Sequence, residues 1–504
     1  MTTSRLLPRV LLLASLTLPA AAGDTSGTAW SGAGCACEDD LRQLVDAAFA
    51  AAPAAEVLMN GNGPGAAGFA VAVLHPECGV FLYSVGLRDV ENQEPMLNAT
   101  RNHIASMTKP VTTAIVLGLA DAGLLGPQGL DASVDLFFSP QEIHALTVGA
   151  DPFAPPKCPD VFQTPDKLTR DPELGFGLCP DFSQRTVRDL LTGNHGLWDS
   201  YNELDRNFNL FPESNDYVFD SLFSFIGLPH DSLPPGTDDA FDLLSALGVL
   251  ANPNATIGGD TLEDFEISFG NTGFALLGLI AERVSGLSYD QLAGQFVTGP
   301  LALDPMNVLD AVPVPEGDIA RQYTLTTGSG LFLIPLPEDL FGVYPQTSIN
   351  GNPAINVYDL DAFIATNGGG GGGALVTTAR GYVRFFDALV TGGLLSPAGQ
   401  AAFDGAFVPV VIPVPGFDLS HGFGVFREPV AGLGTVFRKG GSTAGTESEA
   451  LHSDVAAGGN GVTVVVCRNS DDLFLPNAGV PATAGDVEDP VSYTHLTLPT
   501  IYSV

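Results

Sequence analysis

Only four of the 504 residues are lysine: Lys109, Lys157, Lys167 and Lys439. Lysine and arginine together number 20 against 57 acidic residues, a formal net charge of −37. Nucleic acid and anionic membrane surfaces are thereby excluded as partners, because neutralising phosphate needs clustered Lys and Arg. Beyond the first 22 residues no apolar run approaches the ~20 residues of a membrane span, so no membrane anchor is expected. The eight histidines form no pair or cluster with ligand spacing, and neither H-E-x-x-H nor H-x-H-x-D occurs. A zinc hydrolase is disfavoured, and no metal or cofactor is expected. No G-x-S-x-G elbow is present, which argues against an α/β-hydrolase lipase. Gly63-Pro-Gly65-Ala-Ala-Gly68 matches a dinucleotide fingerprint in spacing. It precedes a predicted strand instead of joining strand to helix, so it reads as a loop.

A hydrophobic content of 45% excludes disorder of the whole chain. The length allows up to three domains or one large domain with insertions. Residues 1–22 read as a signal peptide: Arg5 and Arg9 precede an apolar run, and Ala20-Ala21-Ala22 supplies a small-residue cleavage site. A secreted or luminal protein is expected. Six cysteines fit disulfides in that compartment, with Cys158–Cys179 the best local pair and Cys35 or Cys37 with Cys78 a second. Asn98-Ala-Thr100 and Asn254-Ala-Thr256 are glycosylation sequons. Residues 491–504 contain no Asp, Glu, Lys or Arg and resemble a translated sequencing adapter, so they are set aside.

Residues 66–85 read as two strands joined by a turn at Pro76-Glu-Cys-Gly79. Helices are predicted from Ser106 to Leu125, from Thr186, from Asn271 to Val284, and over 374–390 after the glycine run 368–373. That run reads as a flexible turn. Segments 140–183 and 200–262 lack periodicity and read as insertions. Residues 436–443 and 461–468 read as strands. Strands at both ends with helices between predict an α+β fold, its antiparallel sheet built from both termini.

Four segments carry chemistry. In Ser106-Met-Thr-Lys109, i, i+3 spacing on a helix puts both side chains on one face, ~5–6 Å apart at Cβ. A serine hydroxyl needs a base, and a lysine whose pKa is lowered by burial or nearby positive charge can serve. A helix N-terminus also stabilises an oxyanion. The others are "TVRDLLTGNHGL" (186–197), "FGNTGFALLGLIAERVSG" (269–286) and "RKGGSTAG" (438–445). In the last, a lysine opens a glycine-rich strand that a substrate can approach closely.

Together these segments resemble the serine β-lactamase-related superfamily, in its class C β-lactamase, D-alanyl-D-alanine carboxypeptidase and type VIII esterase branch. "IASMTKP" resembles the nucleophile motif, "LLTGNHGL" the family's "LLTHTSGL", and "GNTGFALLGLIAERVSG" its "SNTGYALLGLIIERVSG". "GGGALVTTARGYVRFFDALVTGGLLS" resembles its "AGGLVSTARDLARF…GGLLS", and "KGGSTAG" its "KTGSTNG" or "HTGGTPG". All stand in the family's order across roughly residues 55–470. The resemblance implies an antiparallel sheet flanked by helices from both chain ends (about 55–135 and 375–470), with an inserted helical part (about 136–374). The whole spans 55–480, after an N-terminal segment 23–54 and before a tail 481–504. The family's C-terminal helix has no counterpart here, which implies truncation after about Asp489.

The resemblance also implies roles. Ser106 is the acylated nucleophile and Lys109 its proton partner. Asn271 binds the substrate amide or orients Lys109, and Lys439 binds a substrate carboxylate or tunes the field. The backbone N–H groups of Ser106 and Ser442 form the oxyanion hole. Two of only four lysines fall where the motifs call for lysine. One position departs: the family's Y-x-N aligns with Phe269-Gly-Asn271, and no Tyr-x-Asn occurs anywhere in the chain. Ser348-Ile-Asn350 has the class A spacing without matching flanks. Losing a general acid or base costs ~10²–10⁴ in rate, and a phenyl ring cannot relay a proton. The expected function is a secreted serine hydrolase acting through an acyl-enzyme on an ester or amide of a small molecule or peptide. The alternative is a catalytically inactive binding protein with the cleft intact.

Overall fold

The 68–75 run alternates large and small apolar residues, Phe69, Val71 and Val73 against Ala70 and Ala72. A strand sends successive side chains to opposite faces, so the two sets face different layers. A computed structural model of the chain describes residues 38–51, 67–138, 185–193, 271–308, 319–325, 346–349, 352–356, 371–410, 419–430, 433–443 and 445–471. In it the run forms β1 (Gly68–His75), and residues 76–78 turn the chain into β2 (Gly79–Asp89). β3 (Glu94–Pro95) and β4 (Arg101–His103) follow.

β1 lies inside a nine-stranded sheet, paired antiparallel with β2 on one side. Its other partner comes from the far end of the chain: β15 (Thr463–Arg468), with Phe69 opposite Arg468 and Val73 opposite Val464. The sheet continues through β14 (Thr446–Ser453), β13 (Gly434–Thr443), β12 (Val425–Val430), β11 (Leu419–Gly422) and β10 (Val408–Val410). The expected antiparallel sheet built from both ends is therefore present.

One face of the sheet packs Phe69, Val71, Val73, Phe81, Val436 and Leu451 against Leu41 and Val45 of helix α1 (Glu38–Ala51). The other face, with Ala70, Ala72, Ala450, Val465 and Cys467, meets a larger apolar cluster supplied mainly by five helices. These are α2 (Thr108–Asp121), α3 (Val187–Thr192), α4 (Asn271–Ser285), α5 (Tyr289–Ala293) and α6 (Ala379–Val390). α7 (Pro397–Asp404) contributes Phe403. Phe385 and Phe386, both fully buried on α6, belong to the same cluster and pack against the ring of Tyr382. Burying each such ring is worth about 1.5–3 kcal/mol.

Two smaller sheets complete the described fold. β4 pairs with β9 (Leu375–Thr378), which pairs with β5 (Asn307–Val308). β6 (Tyr323–Leu325), β7 (Gln346–Ile349), β8 (Asn352–Asn356) and β16 (Ser470–Asp471) form a four-stranded sheet.

Two expectations need correction. The helix expected over 374–390 begins only at Ala379, because Leu375–Thr378 is a strand. β-Branched Val376, Thr377 and Thr378 favour the extended chain. Thr378 then caps the helix, its Oγ1 accepting from the Gly381 N–H at 3.0 Å. Similarly, Ser106 does not lie on the α-helix. It occupies a 3₁₀ turn, Ala105–Met107, and the α-helix starts at Thr108. Helices at Thr186 and Asn271 form as expected, the first with a capping box between Thr186 and Asp189. The insertions, Cys158 and Cys179, residues 1–22, the tail, Asn254 and Phe269 lie outside the described residues.

Candidate active site

β4 delivers the chain to the nucleophile turn, and several contacts fix that turn. The Ile104 N–H donates to the Leu375 carbonyl at 3.0 Å. The Leu375 N–H donates to Thr108 Oγ1 at 3.2 Å, and the Tyr382 hydroxyl to the Met107 carbonyl at 2.6 Å. Ala105 adopts φ +44°, a left-handed conformation that costs an alanine roughly 1–2 kcal/mol. The strained residue immediately precedes Ser106 and sets the direction in which the turn presents it.

Ser106 is half-buried and Lys109 is buried, and their side chains meet: Lys109 Nζ lies 2.8 Å from Ser106 Oγ. Nζ also donates to the Gly372 carbonyl at 2.9 Å and sits 5.9 Å from the centroid of the Phe274 ring. The glycine run was expected to be a flexible turn. Its described end, residues 371–373, is close-packed instead. A Cβ at Gly371 would strike the Phe274 carbonyl and come within 3.0 Å of Gly278 N. The Gly371 carbonyl accepts from Thr112 Oγ1 at 2.7 Å. Glycine at 371 lets the chain pass between α2 and α4, where the Gly371 and Gly372 carbonyls meet Thr112 and Lys109.

Lys439, on β13, is fully buried. Burial, the Lys109 charge and the Arg438 charge together hold its ammonium well below the usual lysine range. Its Nζ lies 5.7 Å from the centroid of the Phe426 ring. Arg438, its neighbour in sequence, is held between two carboxylates, Glu428 at 2.9 Å and Glu449 at 2.7 Å. β13 crosses directly over the nucleophile turn. At Gly441 a Cβ would lie 2.9 Å from Met107 N and 3.0 Å from Ser106 N, and would strike the Ile104 carbonyl. Ser442 follows on the same strand. The strand that carries Lys439 therefore lies against the backbone of Ser106 and Met107.

The structure thus brings together Ser106, Lys109 and the β13 segment of Lys439 and Ser442. Asn271 opens α4, one turn before Phe274, whose ring lies beneath Lys109. The start of α4 is thereby placed near the base, while the Asn271 side chain lies outside the described residues. Ser348 is exposed on β7.

The motifs did not reveal His421. It is buried on β11, its Nδ1 lies 3.1 Å from the Thr192 carbonyl, and its ring centroid is 5.0 Å from that of Phe426. Burial and the Lys439 charge push its imidazole down to about 3. No sequence spacing marks His421; the register of β11, β12 and β13 sets it opposite Phe426, which in turn lies opposite Arg438, the neighbour of Lys439.

A half-buried serine and a buried lysine beneath a Lys-Gly-Gly strand, beside a sheet made from both chain ends, define a serine hydrolase fold of the beta-lactamase type. The chain belongs to the beta-lactamase family, whose model matches residues 42–472. No curated protein sequence matches it. Among solved structures it is similar to a D-amino acid amidase from Ochrobactrum anthropi SV3 (TM-score 0.52, 19% identity, covering 85% of this chain and 90% of that one). It is also similar to a D-stereospecific amidohydrolase from Streptomyces sp. (0.51, 18%, 83% and 95%). A third is a penicillin binding protein from Bacillus halodurans (0.50, 19%, 80% and 92%).

Proposed function

We propose that the protein is a secreted serine hydrolase that forms an acyl-enzyme on Ser106 and cleaves an ester or amide of a small molecule or peptide. The observation that carries this reading is the 2.8 Å contact between buried Lys109 Nζ and Ser106 Oγ. Burial and a neighbouring positive charge favour the neutral form of an amine, the form a base requires. Lys109 takes the Ser106 proton as Oγ attacks the substrate carbonyl. The backbone N–H groups of Ser106 and Ser442 hold the oxyanion. Collapse expels the alcohol or amine with the proton from Lys109, and water then hydrolyses the acyl-enzyme by the reverse route. Lys439 binds a substrate carboxylate or tunes the field, and Asn271 binds the substrate amide or orients Lys109.

Phenylalanine at 269 removes the hydroxyl that would assist leaving-group protonation. Esters need that assistance less than amides do, so esters or activated amides are the favoured substrates, although the fold neighbours include an amidase. Secretion rests on residues 1–22. A disulfide from Cys78 to Cys35 or Cys37 is supported by its burial and by its not being a free thiol. Glycosylation is proposed at Asn98, which is partly exposed in a turn before β4.

The test is covalent labelling of the protein with a fluorophosphonate or fluorescent penicillin, followed by mass spectrometry of the modified peptide. Label on the Ser106 peptide, lost in Ser106→Ala, is the expected result. A folded protein without label would favour the inactive alternative and turn the search to ligands of the cleft. Phe269→Tyr is expected to raise hydrolysis of a chromogenic ester.

A further inference from the structure

Lys109 takes part of its geometry from a stretch of glycine chain. Gly371, Gly372 and Gly373 close the glycine run, and glycine loses more conformational freedom on ordering than any other residue. Something must therefore fix the direction of the Gly372 carbonyl, which accepts from Lys109 Nζ at 2.9 Å. Two threonines of α2 grip the segment. Thr108 and Thr112 are fully buried, and i, i+4 spacing places them on one face of the helix. Thr108 Oγ1 accepts from the Leu375 N–H at 3.2 Å, and Thr112 Oγ1 donates to the Gly371 carbonyl at 2.7 Å. The chain is thus held on both sides of Gly372. A threonine hydroxyl has one proton and a carbonyl can only accept, so that proton points at Gly371. The Thr108 carbonyl, at 3.5 Å, is too far to compete for it. The Tyr289 hydroxyl, on α5, lies 2.6 Å from Thr112 Oγ1. With the threonine proton already placed, Tyr289 is the donor of that pair. Burial holds its phenol above the usual range, so the proton is present at neutral pH.

We propose that Thr112 is a positioning residue of the hydrolase site: backed by the Tyr289 hydroxyl, it holds Gly371 so that the next carbonyl, that of Gly372, orients the Lys109 amine toward Ser106. The inference rests on the hydrolase reading of Ser106 and Lys109. A neutral lysine amine has two N–H groups and one lone pair. An N–H held on Gly372 keeps the lone pair from turning that way, and Ser106 Oγ stands 2.8 Å from Nζ to meet it. If the glycine chain is loose, the amine rotates about its last bond and the lone pair leaves the serine for part of the time. Thr112 and Tyr289 are both buried and act through the glycine chain. Their loss therefore slows the chemical step and leaves the affinity for a reagent unchanged.

The experiment compares the wild type, Thr112→Val, Thr112→Ser and Tyr289→Phe, each first checked for cooperative thermal unfolding. Ser106 labelling by a fluorophosphonate is followed against reagent concentration, which separates the maximal labelling rate from the reagent affinity. Valine keeps the branched shape and removes the hydroxyl. Thr112→Val is expected to lower the maximal rate by about 10- to 100-fold, as misplacement of a catalytic group does, with the affinity unchanged. Thr112→Ser, which keeps both hydrogen bonds, is expected to restore most of the rate. Tyr289→Phe removes only the donor behind Thr112 and is expected to lose less than Thr112→Val, in the same parameter. A wild-type maximal rate in Thr112→Val, a loss that Thr112→Ser shares, or a loss confined to affinity would overturn the proposal. Where valine prevents folding, Thr112→Ala takes its place with the same expectations. A second readout does not depend on labelling. Hydrogen exchange of peptides covering 371–378 is expected to quicken in Thr112→Val and to stay at the wild-type rate in Thr112→Ser. Unchanged exchange in Thr112→Val overturns the inference. If the wild-type protein takes no label, the hydrolase reading fails, and exchange alone decides whether Thr112 holds the glycine chain as described.

Discussion

Gly441→Ala tests the geometry of the site at its tightest point. β13 runs over the nucleophile turn so closely that a Cβ at 441 would lie 2.9 Å from Met107 N and 3.0 Å from Ser106 N. It would also strike the Ile104 carbonyl. Comfortable contact needs about 3.4–4 Å, so strand and turn must separate by roughly half an ångström or more. No flexible side chain can absorb the change, because all three neighbours are backbone atoms. Overpacking of this kind costs about 1–3 kcal/mol. The movement falls on Ser106 N, and a misplacement near 1 Å can cost about 100-fold in rate. The expected outcome is a lowered unfolding midpoint together with a 10- to 100-fold slower fluorophosphonate reaction, both figures being about the size that displacement gives. Gly294→Ala is the control. Gly294 has right-handed φ −60° and open space around its Cβ position, so alanine there should be neutral or stabilising by up to about 1 kcal/mol. If Gly441→Ala labels at the wild-type rate and melts with the wild type, β13 does not bear on the turn and the oxyanion-hole geometry is wrong.

Three further outcomes follow from individual side chains. Lys109→Met is expected to slow Ser106 labelling by about 10²–10⁴-fold, the usual share of a general base; labelling at the wild-type rate would assign the base elsewhere. His103 is fully buried, and burial pushes its imidazole down to about 4. The unfolded chain therefore binds a proton between about pH 6.5 and 4 that the native fold refuses. Stability from this residue is present above pH 6.5 and is lost as pH falls through that window, about 3 kcal/mol in all. His103→Leu should flatten the acid side of a stability profile measured by denaturant unfolding, and an unchanged slope would refute the assignment. Arg438→Met leaves Glu428 and Glu449 facing each other without their cation. Breaking a buried ion pair in this way costs about 3–5 kcal/mol, so its denaturation midpoint should fall well below that of an Arg438→Met variant that also carries Glu428→Gln and Glu449→Gln.

What could be read from the residues themselves is uneven, for physical reasons. The strand pair over 66–85 and the helix start at Thr186 rest on local residue patterns, and both appear where those patterns place them. Ser106, Lys109 and Lys439 were legible because motif order and the scarcity of lysine point to the same positions. The left-handed φ at Ala105 was not legible, since alanine has no preference for it; contacts with Leu375 and Tyr382 impose the turn. The glycine run misled because flexibility is the ordinary reading of repeated glycine. Here the missing side chains serve close packing between α2 and α4. The helix expected over 374–390 was misread at its start because helical periodicity and a short β-branched strand overlap across four residues. His421 could not be found at all without the pairing of β11 with β12 and of β12 with β13.

These buried groups also explain how a chain of formal charge −37 can hold a lysine far from its usual protonation range. Surface acids would stabilise an ammonium, but across solvent their field is screened within about 8–10 Å. Inside the site screening is weak, and burial, Lys109 and Arg438 act on Lys439 directly, in that order. Arg438 is the least of the three although it is adjacent in sequence, because Glu428 and Glu449 already hold its charge in ion pairs. His421 adds no charge, being kept neutral by burial and by Lys439 itself. The mutual repulsion of Lys109 and Lys439 is left as the main charge interaction on Lys439. It favours loss of a proton from Lys439, while Lys109 Nζ stands 2.8 Å from Ser106 Oγ.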